Sequence, residues 1–220
     1  PVLQTVADLT GWLDPNNPHL AFDSALAGIG VGAINGGTAY FDVGGNSVSR
    51  QLLGVTSLAI GPGSEVYGDI YENTLRDTLL GVNVIGLMGS HSDIWVYDND
   101  IRGGGFDPIA EAIGMDVPDA GIGGITIVSY DADIMSSVWD NRVDANLLGI
   151  SAVGIGSEAT VRTWITDNHV SGGGSGLIAA HFGLMDIPEM GLGGINIIGI
   201  DEADMRDTYI GGNHVWDHLL

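Results

Sequence analysis

The chain has 220 residues and no cysteine, and its 28 acidic residues against six basic ones give a formal net charge of −22. This length supports a sizeable core without disulfides, and the charge argues against nucleic acid or an anionic membrane surface as a partner. No run of eighteen apolar residues occurs, so membrane insertion is not expected. Pro1 in place of Met indicates a processed form or an excised piece, which suits an extracellular or cell-surface protein.

Residues 1–26 come first and carry only a weak pattern. They hold Trp12-Leu13-Asp14-Pro15 and a run of small residues that begins at Ala21 and precedes Gly28-Ile29. We interpret this segment as an N-terminal cap or as a diverged copy of insertions that recur later in the chain.

From residue 27 to residue 220 the chain repeats. An Asn is followed two residues later by Val, Leu or Ile, and the residue before this Asn is acidic or Gly. The six copies are at Asn46, Asn73, Asn99, Asn141, Asn168 and Asn213. Six copies of one pattern predict a repeat architecture in which these Asn residues have a structural role.

Each copy has a second marker 17 to 19 residues upstream of its Asn, a Gly followed by a β-branched residue. Alternating apolar stretches follow this Gly, as in Ile125-Thr126-Ile127-Val128, and then come a polar turn and a second stretch such as Val161 to Ile165. The pattern predicts two or three short strands in each repeat.

Two long gaps between Asn residues indicate insertions near residues 102–123 and 171–193. The two insertions resemble one another, since each runs from three glycines to Met-Asp-(Val/Ile)-Pro. We expect loops with a turn or two of helix. The pairs Met115-Asp116 and Met185-Asp186 are candidate contacts for a partner, and the alternative is that these loops fold back over a sheet face.

A repeat of this length matches one coil of a solenoid whose strands pair with their equivalents in the next coil. Asn tolerates the left-handed backbone of a sharp turn, and its amide can bond the identical amide of the next coil, so a ladder of Asn side chains is expected. With these features, residues 27–220 resemble the right-handed parallel β-helix superfamily, the pectin-lyase-like fold. The resemblance implies an all-β solenoid of about six or more coils and does not select an activity, because that superfamily includes lyases, hydrolases, epimerases and noncatalytic adhesins.

Candidate catalytic residues come from the C-terminus and from the few arginines. The string His214-Val215-Trp216-Asp217-His218 resembles the Val-Trp-Ile-Asp-His motif of pectate lyases but lacks the residue between Trp and Asp. This shift places later side chains on the opposite face of a strand. Asp217 and His218 are therefore candidate acid, base or metal groups, or else polar residues of a terminal coil.

A lyase also needs a cation that neutralises a uronate, for which Arg142 and Arg162 are candidates. They lie at different offsets from their Asn residues, so no ladder of arginines is expected.

No cofactor is expected except Ca²⁺, for which the acidic pairs Asp98/Asp100 and Asp140/Asp144 are candidate ligands. Their carboxylates would have to stack between neighbouring coils. The alternative is that they lie on solvated turns at different corners.

Trp95 and Trp164 each precede an Asn by four residues, so they can form a platform for sugar rings or can pack as ordinary outer-face residues.

Because polar residues recur from coil to coil and no single cluster breaks the repeat, the sequence favours an extracellular structural or adhesive solenoid, as a segment of a surface protein or of a self-assembling fibre. Self-association or another surface protein is then the expected partner. The alternatives are a polysaccharide-degrading or polysaccharide-modifying enzyme, and a noncatalytic carbohydrate-binding module.

Overall fold

A computed structural model describes residues 27–104, 121–173 and 191–218. These residues form strands and turns and contain no helix. Among them there is accordingly no helix that could cross a membrane. The strands are β1 (Ala27–Ile34), β2 (Thr38–Gly44), β3 (Ser47–Ser49), β4 (Leu53–Ile60), β5 (Glu65–Tyr71), β6 (Thr74–Thr78), β7 (Leu80–Leu87), β8 (His91–Tyr97), β9 (Asp100–Gly103), β10 (Gly121–Tyr130), β11 (Asp133–Trp139), β12 (Arg142–Ile155), β13 (Thr160–Thr166), β14 (His169–Gly172), β15 (Gly193–Ile200), β16 (Tyr209–Gly211) and β17 (His214–Trp216).

The strands pair in parallel and form three rows. The first row is β1, β4, β7, β10, the second half of β12, and β15; the second row is β2, β5, β8, β11, β13 and β16. The third row is β3, β6, β9, the first half of β12, β14 and β17. The first and third rows belong to one 11-stranded sheet because β12 runs through both, and the second row is a separate six-stranded sheet. One strand from each row makes one repeat.

Residues at equivalent positions of successive repeats lie side by side in columns. In the first row, for example, Val55 pairs with Val82, Val82 with Ile125, and Ile125 with Ile150. This stacking of equivalent strands supports a solenoid arrangement, as the repeat in the sequence predicts.

Alternate residues of all three rows point inward and form a single core. The inward columns consist of aliphatic residues because one face of every strand is closed off from water by the other two rows. Residues with no measurable exposure include Val82, Ile125 and Ile150 of the first row, Ile94, Ile134 and Val161 of the second, and Leu75, Ile101, Val143 and Val170 of the third.

Sharp corners with left-handed backbone conformation separate the rows. Between the second and third rows the residue with positive φ is Gly45, Glu72, Asp98, Asp140, Asp167 or Gly212, with φ between 51° and 69°. The expectation that Asn itself adopts the left-handed conformation is wrong, because this conformation belongs to the residue before each ladder Asn. The ladder Asn instead contributes its side-chain amide, which hydrogen-bonds the next Asn of the ladder.

The repeated Gly at the start of each first-row strand lies against the third row. A Cβ built on Gly149 would come within 2.2 Å of Val170 Cγ1 and 2.5 Å of the Gly194 carbonyl oxygen. Gly81 and Gly124 are equally crowded, by Ile101 and Val143 respectively. The two sequence markers are thus in contact, since the Gly makes room for the apolar residue that follows the Asn.

The described chain is therefore an all-β fold of parallel strands. At the edges of the first predicted insertion, Arg102 and Gly103 belong to β9, and Gly121 to Gly123 belong to β10. The rest of both insertions, including Met115, Asp116, Met185 and Asp186, and the predicted cap at residues 1–26 lie outside the described residues.

Candidate functional site: the outer face of the second row

The six Asn residues form an unbroken ladder inside the corner between the second and third rows. Each Nδ2 donates to the Oδ1 of the next Asn at 2.9–3.0 Å, from Asn46 through to Asn213. The same Oδ1 also accepts from the backbone N–H of the preceding Asn at 2.9–3.1 Å. Asn73, Asn99, Asn141 and Asn168 are at most 1% exposed, so the ladder has a structural role and offers no surface to a ligand.

Aromatic residues concentrate on the outer face of the second row, which we call the aromatic face. The chain has five Trp and six Tyr residues, and eight of these eleven lie on the aromatic face. They are Tyr40, Tyr67, Tyr71, Trp95, Tyr97, Trp139, Trp164 and Tyr209. The strand order explains the concentration, because every one of these residues is at an outward position of a second-row strand.

Part of the aromatic face is a stack of rings. Tyr71, Tyr97 and Trp139 stack in sequence, with ring centroids 5.3 and 4.5 Å apart and nearly parallel planes. Tyr40 and Tyr67 stack at 5.2 Å. Rings held by parallel strands at this spacing form a rigid, amphipathic surface.

Trp95 and Trp164 lie in the central column of this face. Ser137 separates them, since it pairs with both, so the two indoles are two strand spacings, or about 10 Å, apart and do not stack on each other. Trp95 is 51% exposed, and Trp164 and its neighbour Tyr209 are exposed as well. Trp164 and Tyr209 border an open depression of about 450 Å³, whose other lining residues are Met135, Arg162, Asp207 and Thr208.

An ionic cluster beside this column breaks the symmetry of the repeat. Arg162 Nη2 donates to both carboxylate oxygens of Asp133, at 2.6 and 2.7 Å. His91 Nδ1 lies 3.1 Å from the Asp133 Oδ2. The hydrogen bonds that Arg162 donates to Asp133 raise the pKa of its guanidinium, and the cluster fixes this cation next to the depression.

Two half-buried carboxylates adjoin the cluster. Burial raises the pKa of Asp93 above its ordinary value, against the opposing effect of His91 and Arg162, and the Asp93 Oδ1 has no hydrogen-bond partner among the described residues. Burial also raises the pKa of Asp69, and the neighbouring charges of Asp42 and Asp93 add to this. Both groups are therefore held in surroundings that favour the neutral acid.

The raised pKa of Asp93 makes stability depend on pH. Just above the ordinary aspartate pKa, the folded protein holds a proton that the unfolded chain has released, so stability falls as the pH rises through this interval. We expect Asp93→Asn to give a small rise in the thermal midpoint at pH 7 and a flatter pH profile between about pH 4 and 7. Calorimetry over this range measures both. Asp42→Asn, at an exposed position of the same face, is the control, and an equal gain there would contradict this account.

The four predicted catalytic residues do not converge. Arg162 belongs to the aromatic face, whereas Arg142 lies in the third row and pairs with Asp144 at 2.6 Å. Asp217 occupies a left-handed corner after β17. Burial lowers the pKa of His218, whose ring nitrogens have no hydrogen-bond partner among the described residues.

The predicted calcium ligands are also dispersed. Asp98 and Asp140 are exposed neighbours at the corner between the second and third rows, while Asp100 pairs with Arg76 and Asp144 with Arg142. Within residues 27–104, 121–173 and 191–218, no three His, Cys, Asp or Glu side chains are placed to hold a metal ion.

The sequence prediction named Trp95, Trp164 and Arg162 but missed His91 and Asp93, which lie beside them. The sequence did contain a pattern that points to Asp93. Alignment of the strands that precede each Asn places Asp93 two residues before Trp95 and opposite Met135. The alternation of strand side chains then puts Asp93 and Trp95 on one face.

Comparisons of the chain with protein-family models, with curated protein sequences and with solved structures find no match. Function is therefore inferred from the geometry and chemistry of the described residues.

Proposed function

We propose that this chain is a noncatalytic, extracellular adhesive solenoid of the right-handed parallel β-helix type, and that its aromatic face binds a neutral polysaccharide. The observation that carries the proposal is the row of exposed rings, Trp95, Trp164 and Tyr209, in one column of a rigid sheet. The Asn ladder and the stacked parallel rows support this proposed fold type, because the pectin-lyase-like superfamily has the same features.

The spacing of the rings suits an extended sugar chain. Trp95 and Trp164 are about 10 Å apart along the stacking direction, which is close to the length of two β-linked hexoses. Aromatic rings pack against the C–H faces of sugars, and Ser137 and Asp69, in the same column, offer oxygen atoms to sugar hydroxyls.

Charge selects the class of sugar. The carboxyl groups of Asp42, Asp69 and Asp93 line the face, where Arg162 supplies an opposing cation, and the whole chain carries −22. A uronate polymer would be repelled, so a neutral glycan is the favoured ligand.

We expect Trp164→Ala to weaken binding of a soluble neutral β-glucan by about tenfold or more, because a central ring contributes strongly to an interface. Titration calorimetry or affinity electrophoresis with the full chain measures this, and Trp95→Ala is expected to act in the same direction. Trp216→Ala is the matched control, because Trp216 is an exposed third-row indole away from the aromatic face.

Polygalacturonate and chitosan serve as anionic and cationic comparisons. Absence of binding to any neutral glycan, or equal losses in the Trp164 and Trp216 variants, would refute the proposal.

A second candidate is a glycan hydrolase, favoured by the raised pKa of Asp69 and Asp93. A carboxyl with a raised pKa is better suited to donate a proton to a leaving sugar oxygen, and a second carboxylate can activate water. Assays for new reducing ends decide between the two: turnover that Asp93→Asn and Asp69→Asn abolish would establish the enzyme, whereas binding without turnover supports the adhesin.

A further inference from the structure

The depression beside Trp164 lies where the pairing of the second row becomes irregular. Asp204 pairs with Thr160 and Tyr209 pairs with Trp164, so the five-residue step from Asp204 to Tyr209 faces a four-residue step in β13. One extra residue in a strand pair is a bulge, which redirects the neighbouring side chains and is frequent beside functional sites. The depression of about 450 Å³ is within the range of about 300–1,000 Å³ that is typical of small-ligand sites.

One side of the depression is apolar. The rings of Trp164 and Tyr209 are 39% and 56% exposed, and the Met135 side chain is half-buried. Met135 pairs with Arg162, two residues before Trp164, so it is a diagonal neighbour of Trp164 at about 8 Å between Cα atoms. A sugar ring that stacks on Trp164 would therefore direct one of its substituents over the Met135 thioether.

The other side of the depression is polar. Arg162 donates to Asp133 through Nη2 alone, so its Nη1 has no acceptor among the described residues. The hydrogen bonds to Asp133 raise the pKa of Arg162 and the charge of Asp207 adds to this effect, so the exposed Asp207 carboxylate lies close to the same guanidinium. The Thr208 hydroxyl also has no hydrogen-bond partner within the described part of the chain. A donor and an acceptor therefore lie side by side next to an apolar surface.

We propose that the depression selects a sugar that carries an acetamido group, so that the ligand of the aromatic face is a polymer of N-acetylhexosamine. This inference rests on the proposed function, because a sugar ring must first stack on Trp164. The acetamido oxygen accepts a hydrogen bond from Arg162, and the acetamido N–H donates to Asp207. The methyl group packs on Met135, whose flexible thioether adapts to its shape. The three parts of the acetamido group thus match three side chains of the depression.

Other sugar substituents match these side chains less well. A hydroxyl group in the same place is too short to cover Met135, so the apolar side of the depression stays in water. A carboxylate would pair with Arg162, but the nearby charges of Asp133 and Asp207 would repel it. The free amine of a glucosamine would pair with Asp207, but Arg162 would repel it and no methyl group would reach Met135.

Titration calorimetry of the full chain with chitohexaose and cellohexaose tests the proposal, because these two hexamers differ only in the substituent at C2 of each ring. We expect chitohexaose to bind about tenfold more tightly, since it adds hydrogen bonds to charged groups and a covered methyl group. Arg162→Gln and Met135→Ser should each reduce this preference to about threefold or less. Arg76→Gln is the matched control, because Arg76 also pairs with an aspartate, Asp100, but lies in the third row, and it should leave the preference unchanged.

The readout is the ratio of the two affinities, which a poorly folded variant does not change selectively. Met135→Leu keeps an apolar side chain of similar volume and should retain the preference. Equal affinities for the two hexamers would overturn this inference and leave the proposed glycan site in place, whereas binding of neither hexamer would overturn both. A preference that survives both Arg162→Gln and Met135→Ser, or tighter binding of a glucosamine hexamer than of chitohexaose, would also overturn the inference.

Discussion

Replacing Asn99 by Ala is expected to lower the free energy of unfolding by about 3–5 kcal/mol. The change removes the Oδ1 that accepts from the backbone N–H and the Nδ2 of Asn73. It also removes the Nδ2 that donates to the Ile70 and Tyr97 carbonyls, at 2.8 and 2.9 Å. Each buried group that loses its partner costs about 1–3 kcal/mol.

Urea unfolding of Asn99→Ala measures this loss. Asn46→Ala is the matched control, since Asn46 is the first rung and its Oδ1 serves no preceding ladder Asn. The terminal variant should lose clearly less stability than the central one. Equal losses would show that the hydrogen bonds between successive ladder Asn residues add no stability beyond the hydrogen bonds that each Asn makes within its own corner.

Substituting Gly149 by Ala is expected to cost about 2–4 kcal/mol. The added methyl group would meet a backbone carbonyl oxygen at 2.5 Å and Val170 at 2.2 Å, so the first and third rows would have to move apart. Gly30→Ala is a close control within the same row, because a Cβ there has nothing within 4 Å.

At Gly30 the substitution should stabilise slightly, since Gly within a strand costs about 0.5–1 kcal/mol relative to Ala. Thermal unfolding of both variants measures the contrast. Similar midpoints would mean that close contact with the third row is not the reason why Gly occupies this position in each repeat.

The strand rows and the ladder could be predicted because they depend on patterns that recur in every repeat. An inward Val, Leu or Ile after each Asn and a Gly before each first-row strand are required wherever the rows meet, so the sequence shows them six times. The left-handed corner was assigned to the wrong residue, because Asp and Gly tolerate positive φ as well as Asn does.

The candidate site could not be predicted in the same way because it occurs once. The Asp133 carboxylate meets Arg162 and His91 from two neighbouring strands, and 42 residues separate Asp133 from His91. His91 and Asp133 come together only because β11, which follows the first insertion, pairs in register with β8, which precedes it. Asp93 likewise gains its raised pKa from burial within the folded face, which its local sequence does not reveal.

The ladder bonds do not depend on how much chain lies between two rungs. Asn99 and Asn141 are 42 residues apart and bond at 2.9 Å, while Asn73 and Asn99 are 26 apart and bond at 3.0 Å. The corner between the third and first rows therefore accepts an excursion of the chain without any change in the stack. It is a natural place to graft a foreign peptide, which would be displayed beside a rigid scaffold at a fixed distance from the aromatic face.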